Sequence, residues 1–597
     1  LAPAHKYGAK VDESFFLMKT NARLGRFLTW MGVIYLIIML SSPRVFAQPI
    51  LLEQQQDFLP LKNLDAYHMQ VSCSDSGIRK IVEQEIEWYV SERSFSGSVS
   101  AASPLRWLIL TESDGSMLQN LQVEQPTIVI FSGVSPIRLP NAMALIYLAE
   151  PSPQLLRECV QAVFGGHAFE HQLSEGMGPF PRGAGQKTPG GLRLKKAPDN
   201  QNQQELIDTL NRIVEQGLID TAYPGAQVLV ALKGNIVFSK TYGYHTFESK
   251  RPVLPEDVYD LASVTKVTAA VPSLMHLLDE NLISLEDDLC TLWPFLCRGN
   301  KADIGLRPAL SHQARLIPYL IFWQDLFRRN GRMKRSKIRS VASKKHSVEI
   351  TDSLFLHSKY YKKMYKQVRR TALLDSARYL YSGLTFLLYP DLVQRKTGMR
   401  IDSFLYQKFY GPLGANYLMY RPADRLDKTH ILPTEVDTSF RQQLVHGRVH
   451  DEASAMLDGL STNAGLFGNA NDLAKLCQLF LNRGTYGGER FVSSEVVDEF
   501  TRRHFAHLDN RRGLGFDKPV IEWDADASYV AQSASPASYG HSGFTGTFFW
   551  IDPEKELILI FLSNRVYPTR DNRKLYSLGI RPRLHQAVYD WIEKNQL

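Results

Sequence analysis

The sequence predicts a two-part chain of α/β and α+β character. A small layered α/β domain is followed by an antiparallel sheet sandwiched by helices, with a helical lobe between the sheet's first and last strands. Three observations predict it. Between residues 50 and 196, short apolar runs ending in turn residues alternate with helical stretches, as in a layered α/β unit with some parallel strands. Past residue 205, hairpin-like strand pairs stand near both ends of the chain. Helical stretches fill the interval between those ends. The 597 residues, 44% apolar and 22% charged, suit an ordinary globular protein with sizeable cores.

In order, Leu28 to Leu40 is an apolar run behind Lys19, Arg23 and Arg26, with Pro43 and Val45-Phe46-Ala47 before Gln48. Short, charged at its front and closed by small residues, it reads as a secretory signal. A start at Met18 would put that signal in place, so 1–47 is expected to be upstream residues and signal peptide. Export to the periplasm or cell envelope is the expectation, and anchoring by an uncleaved signal the alternative. Residues 48–196 form the α/β domain, with strands in Trp107–Leu110, Thr127–Ser132 and Met143–Leu148. Its helices are expected over Ile78–Val90 and Pro153–Phe164. Arg182 to Gln203, rich in Gly, Pro, Lys and Gln, reads as a linker whose core is 197–204. In 205–597, Leu206–Glu215 has helical spacing, and Lys233-Gly234-Asn235 turns between strands Val228–Leu232 and Ile236–Tyr242. Phe548–Ile551 and Leu557–Ser563 repeat the pairing before a final helix, Leu584–Lys594.

Five cysteines (73, 159, 290, 297 and 477) contain no C-x-x-C and no grouping with histidines, so neither zinc nor any other cofactor is called for. Cys290 and Cys297 are close enough to pair in an oxidising compartment, but free, half-buried thiols are the expectation. The net charge of +8 is unevenly spread. Residues 326–370 hold fifteen Lys or Arg against Glu349 and Asp352, a local +13 that leaves −5 for the rest. This insertion is expected to be a solvated loop; the sharper alternative is a patch for an anionic envelope surface. No nucleic-acid recognition motif accompanies it.

The chemistry concentrates in Ser263-Val264-Thr265-Lys266, an S-x-x-K box. A serine hydroxyl needs a neighbouring base to become a nucleophile. A lysine three residues on lies one helical turn away on the same face, where desolvation would let its amine serve as that base. A helix starting near Leu261 would also aim backbone N–H groups at the attacked group. Tyr381-Ser382-Gly383 follows downstream, and His541-Ser542-Gly543 lies near the end, before Phe548-Phe549-Trp550-Ile551.

This order of serine box, tyrosine box and basic-x-Gly triplet resembles the β-lactamase and penicillin-binding-protein superfamily, in particular its class C-type branch of esterases and D-amino-acid peptidases. Tyr223-Pro224-Gly225-Ala226, Leu310-Ser311-His312-Gln313, Asn463-Ala464-Gly465-Leu466-Phe467 and Asn471-Asp472-Leu473-Ala474 extend the likeness in the same order. The resemblance implies that Ser263 forms an acyl-enzyme and that Lys266 and Tyr381 share the proton transfers, either being the base. It implies an oxyanion hole from the N–H groups of Ser263 and Phe544, with Gly543 leaving room for close approach of substrate. His541 stands where many relatives carry lysine. Gly383 replaces an Asn or Asp that would orient Lys266 or bind a substrate amide, a loss that bears on amide more than ester chemistry. Arg315 stands where relatives tend to have Gly. His312, His446 and His450 are expected to be structural.

Leu59-Pro60-Leu61-Lys62-Asn63, Val163-Phe164-Gly165-Gly166 and Gly183-Ala184-Gly185 resemble the second domain of glycoside hydrolase family three. That family's barrel, with its Lys-His-x-Pro-Gly and Asp-x-His segments, is not found in the sequence, so no carboxylate pair is available for glycosidase chemistry. The expectation is an exported serine hydrolase acting on an ester or amide, its partner a small acyl substrate or cell-wall fragment. The rival is a catalytically silent envelope-binding module.

Overall fold

The computed structural model describes residues 48–62, 64–90, 103–150, 152–197 and 203–597. The expected signal, 1–47, lies outside the described residues, as does 198–202 of the expected linker. Strands β1 (Ile50–Gln54), β2 (Tyr67–Cys73), β3 (Ser103–Leu110), β4 (Thr127–Ser132) and β5 (Ala144–Leu148) form one sheet in the order β1-β5-β4-β3-β2. All neighbours are parallel except β1, which runs antiparallel to β5. Helices α1 (Ser76–Tyr89) and α2 (Pro153–Val163) cover one face. Strand alternation sorts the side chains. Trp107, Ile109, Ile128, Ile130 and Ile146 meet Val82, Ile86, Leu156 and Val160 of the helices, whereas Leu108, Leu110, Val129, Phe131 and Leu145 form a second core on the opposite face. Asp75 starts α1 by accepting from the N–H groups of Gly77 (2.7 Å) and Ile78 (3.0 Å).

The larger unit runs β6 (Lys195–Lys196), α3 (Gln203–Ile219), β7 (Gly225–Leu232), β8 (Asn235–Gly243) and α4 (Val271–Asp279). The insertion supplies β9 (Ile338–Arg339), β10 (Val348–Thr351), β11 (Leu354–Leu356) and α5 (Tyr361–Arg370). Then come α6 (Ala470–Leu481), β12 (Tyr539–Ser542), β13 (Phe548–Asp552), β14 (Leu557–Ser563) and α7 (Ile580–Lys594). A six-stranded sheet is ordered β12-β13-β14-β7-β8-β6, antiparallel but for β6 against β8. Every residue of β7, β13 and β14 is buried. Ile558, Ile560 and Leu562 join the core shared with α4, α6 and the helical lobe. Leu557, Leu559 and Phe561, one residue out of phase, pack with α3 and α7. The predicted sandwich is therefore the observed one.

Three expectations need correction. The segment read as a linker is structured up to Ala197: Arg193 is buried, and Lys195–Lys196 pair with Asn235–Ile236. Its polar composition hid a chain whose polar groups are paired inside. The basic insertion is not a loop. Ile338, Ile350, Leu354, Leu356, Met364 and Val368 are buried in the main core, while its cations face outward. Of its fifteen Lys and Arg, only Lys363 is ion-paired among the described residues, to Asp325. Its two acids are taken by the body, Glu349 by Arg448 (2.6 Å) and Asp352 by Lys428 (2.5 Å). Finally, Cys290 and Cys297 are joined in a disulfide rather than free, their Cα atoms 4.6 Å apart across a short helical turn and Pro294.

The two units are packed together through buried polar contacts. Lys475 on α6 donates to Gly414 O (2.6 Å) and Tyr89 O (3.3 Å) and pairs with Asp472. Arg193 donates from Nη1 to Leu61 O (2.6 Å) and Phe164 O (2.8 Å), with its guanidinium over the Tyr486 ring. Removing it strands two buried carbonyls. Arg193→Met is expected to cost on the order of 2–4 kcal/mol in urea unfolding. Exposed Arg212→Met should stay within about 0.5 kcal/mol, and equal effects would mean that the Arg193 contacts carry no stability.

Candidate active site

The nucleophile candidate sits on a turn rather than a regular helix. Ala262–Val264 is one turn of 3₁₀ helix, Lys266–Ala270 a π-helical turn, and only then does α4 begin. The helical segment thus starts near Leu261 as expected, but its first turns are 3₁₀ and π, and π turns are enriched at functional sites. Ala262, next to Ser263, has φ +48°, a strained position for a residue with a Cβ. Buried Asp260 holds it: Oδ1 accepts from Ala262 N (2.8 Å) and Oδ2 from His450 N (2.6 Å). Thr545 and Thr547 donate to Asp260 O (2.7 Å) and Leu261 O (2.9 Å), tying the turn to the β12–β13 connection.

The structure brings the three boxes together. Lys266, fully buried, donates to Ser263 Oγ (3.2 Å) and to Asn463 O (2.9 Å). Its Nζ lies 5.1 Å from the Tyr381 ring centre. Tyr381 packs between the rings of His312 (4.5 Å) and His541 (6.0 Å), and its buried hydroxyl has no partner among the described residues. Ser263, Lys266, Tyr381, Gly383, Asn463, His450 and Phe544 line a cleft of about 520 Å³. Its apolar lining comes from Pro318–Trp323, Leu384 and Leu387, and Asp451, Glu452 and Arg570 line it as well.

His541 lies against Tyr381, with ring centres 6.0 Å apart, but is not among the residues lining the cleft, and it is not a substitute cation. Burial, then the charges of Arg512 and Lys266, push its pKa down to about 3. Its Nδ1–H donates to Ser542 O (2.8 Å), so Nε2, buried and unpartnered, presents a lone pair. His312 is likewise held neutral by burial and the same two cations, accepting from Ser382 N at Nδ1 (3.1 Å). Phe544 lies over His450 and is 40% exposed; its N–H meets no acceptor among the described residues, as an oxyanion donor requires. Gly543 is needed for a reason other than substrate access. A Cβ there would overlap Thr547 Oγ1 and lie 2.5 Å from Leu261 O, wedging the β12–β13 connection off the nucleophile turn.

Two departures find explanations. Arg315 occupies a left-handed position (φ +58°), which is why glycine suits it; here the guanidinium donates to Leu374 O (2.6 Å). Gly383 leaves no void: a Cβ on it would overlap Asn463 Oδ1 and lie 3.1 Å from Asn463 Cγ. His446 is structural, bonded to Ile431 O (2.7 Å). His450 does more, forming part of the cleft and bonding Glu435 at 2.7 Å. Asp260, Glu435, Asn463 and Arg570 were not read as site residues in the sequence; Asp260 is marked there only by adjacency to the serine box, and Asn463 only as the first residue of Asn463-Ala464-Gly465-Leu466-Phe467.

The Arg570 guanidinium is already engaged. It bonds both oxygens of Glu435 (2.7 and 2.6 Å) and Glu452 (3.0 Å). Glu435 is held down to about 2, its burial outweighed by the bonds from His450 and Arg570. Among the residues lining the cleft, Lys266 therefore bears the one basic group bonded to no carboxylate.

The sequence model of the family described as Beta-lactamase matches residues 210–579. The "Putative D-alanyl-D-alanine carboxypeptidase" of Escherichia coli (strain K12) is 26% identical over 411 residues, covering 65% of this chain and 89% of that protein. Its namesake in Salmonella typhimurium (strain LT2) is 28% identical over 406 residues, covering 63% and 87%. Among solved structures, a penicillin-binding-protein homologue from Caulobacter crescentus aligns with a TM-score of 0.47 at 17% identity, covering 66% of this chain and 99% of that one. A family VIII carboxylesterase aligns with a TM-score of 0.45 at 18% identity, covering 66% and 99%. With the family's model spanning well over half of the 597 residues, this chain belongs to the β-lactamase family and is a serine hydrolase of the β-lactamase and penicillin-binding-protein type.

Proposed function

We propose that the protein is an exported hydrolase that cleaves uncharged acyl esters through an acyl-enzyme on Ser263. The observation that carries the chemistry is the Ser263 Oγ–Lys266 Nζ contact of 3.2 Å on the wall of the cleft, with Nζ steadied by Asn463 O. Ser263 Oγ attacks the acyl carbonyl carbon as its proton passes to Lys266, alone or relayed by Tyr381. The tetrahedral oxyanion rests on the N–H groups of Ser263 and Phe544. On collapse the carbon–oxygen bond to the leaving group breaks and the alcohol departs with a proton from the Lys266–Tyr381 pair. Water then attacks the acyl carbon, and Ser263 recovers its proton as the acid leaves.

Electrostatics favour an ester without a terminal carboxylate. The relatives named as D-alanyl-D-alanine carboxypeptidases point to peptides ending in a carboxylate. Here the residue standing at the lysine position, His541, stays neutral, and Arg570 is saturated by two glutamates. A carboxylate entering this cleft would lose its hydration and find no guanidinium or imidazolium free to pair with it, the remaining basic group being the Lys266 amine that serves as base. The apolar lining, with Tyr319 at 71% exposure, suits an aliphatic or aromatic acyl group. The outward cations of the insertion favour an anionic envelope surface as the enzyme's resting place. Binding to phosphatidylglycerol vesicles that is untouched by reversing Lys362, Lys363 and Lys366 to Glu would remove that part of the reading.

A fluorophosphonate probe is expected to label the wild-type protein at Ser263 and to leave Ser263→Ala unlabelled; no adduct on folded wild-type protein sinks the acyl-enzyme. Lys266→Ala and Tyr381→Phe should each lower kcat by about 10²–10⁴-fold on an aryl ester, and the double variant by far less than the product. His541 contributes no limb to the pH–rate profile between about pH 5 and 8, because its folded pKa lies well below that window. His541→Lys should shift preference toward carboxylate-terminated substrates. Preference for such substrates in the wild type would refute the ester reading.

A further inference from the structure

Two loops eighty residues apart in the sequence meet beside Lys266, and only one of them has a side chain there. Gly383, the third residue of the tyrosine box, has none. The space its Cβ would fill is held by the Asn463 carboxamide, whose Oδ1 would overlap that Cβ and whose Nδ2 would stand 3.5 Å from it. The Asn463 backbone carbonyl is fixed by Lys266 Nζ (2.9 Å) and its N–H by Ser461 Oγ (3.1 Å), so the residue cannot drift from the site. Its side chain is half-buried on the cleft wall and forms no hydrogen bond among the described residues. Neither Oδ1 nor Nδ2 is among the buried atoms left unpaired, so a donor and an acceptor stand unspent and open to a ligand in the cleft that Ser263 also lines.

We infer that Asn463 is the substrate-binding amide of this site, supplied by the loop before Leu466–Gly468 in place of the tyrosine box, and that Gly383 is glycine to admit it. Resting on the acyl-transfer reading above, the inference adds a specificity element. The acyl group carries its own carbonyl or N–H close to the reacting carbonyl, as in an N-acylated or β-oxo acyl ester. That group's carbonyl accepts from Nδ2 and its N–H donates to Oδ1. A plain aliphatic ester uses the apolar lining alone.

The test compares Asn463→Ala, Gly383→Asn and the exchanged pair Gly383→Asn/Asn463→Gly in the full chain. The substrates are the aryl ester of an N-acetylated amino acid and an aliphatic aryl ester of the same leaving group. Asn463→Ala should lower kcat/KM for the N-acetylated ester about tenfold to a hundredfold more than for the aliphatic ester, the discrimination of about one to three kcal/mol expected when a polar partner is lost. Gly383→Asn alone should lose activity on both, since two side chains compete for one volume. The exchanged pair should recover most of the lost selectivity. An equal effect of Asn463→Ala on both esters, or an exchanged pair no better than Gly383→Asn, would overturn the inference. Should the single variants unfold, the exchanged pair and Asn463→Asp, which keeps the volume but removes the donor, decide it. Fluorophosphonate labelling of Ser263 in each variant reports separately on acyl transfer, so failure of that reading and failure of this one remain distinct.

Discussion

The site depends on one buried carboxylate. Asp260 accepts hydrogen bonds from Ala262 on the nucleophile turn and His450 on the cleft rim, while its own carbonyl receives Thr545 from the connection after β12. Three segments far apart in the sequence thereby share one rigid point. A left-handed alanine beside the reactive serine would relax if this carboxylate were free to move. Its desolvation is a standing cost, visible as a raised pKa due first to burial, and the bonds it accepts offset that cost. The geometry of Ser263 and Lys266 is a consequence of this anchoring more than of helix propensity.

Much of the fold was legible because side-chain periodicity survives in the sequence. Thr127–Ser132 and Leu557–Ser563 were read to the residue, since both are continuous apolar runs bounded by turns. The insertion was misread for a countervailing reason. Its fifteen cations drown the inward residues Ile338, Ile350 and Leu356, and strands this short carry little period to detect. The segment through Arg193 was misread because glycine and proline usually mark exposed connections, whereas here its guanidinium is spent on interior carbonyls.

The site was legible in its motifs and not in its compensations. Ser263, Lys266 and Tyr381 are named by spacing and order, and they do converge. Gly383 looked like a deletion because a sequence shows what a position lacks, not what another loop brings to it. His541 looked like a weak cation because residue type gives an ordinary pKa, whereas burial beside Arg512 and Lys266 makes the ring an acceptor. Glu435, Arg570 and Glu452 close on one another at the cleft, and no local pattern announces that a guanidinium is already occupied.

Strand β6 is only Lys195–Lys196, yet it lies along the outer side of β8. Without it, β8 would end the large sheet with a row of open backbone donors and acceptors, the kind of border on which a second polypeptide can add itself. The short strand covers the start of that border, at Asn235 and Ile236, and it does so with two lysines, side chains that resist being sandwiched by another sheet. The segment that leads into the larger unit thus has a use independent of any ligand.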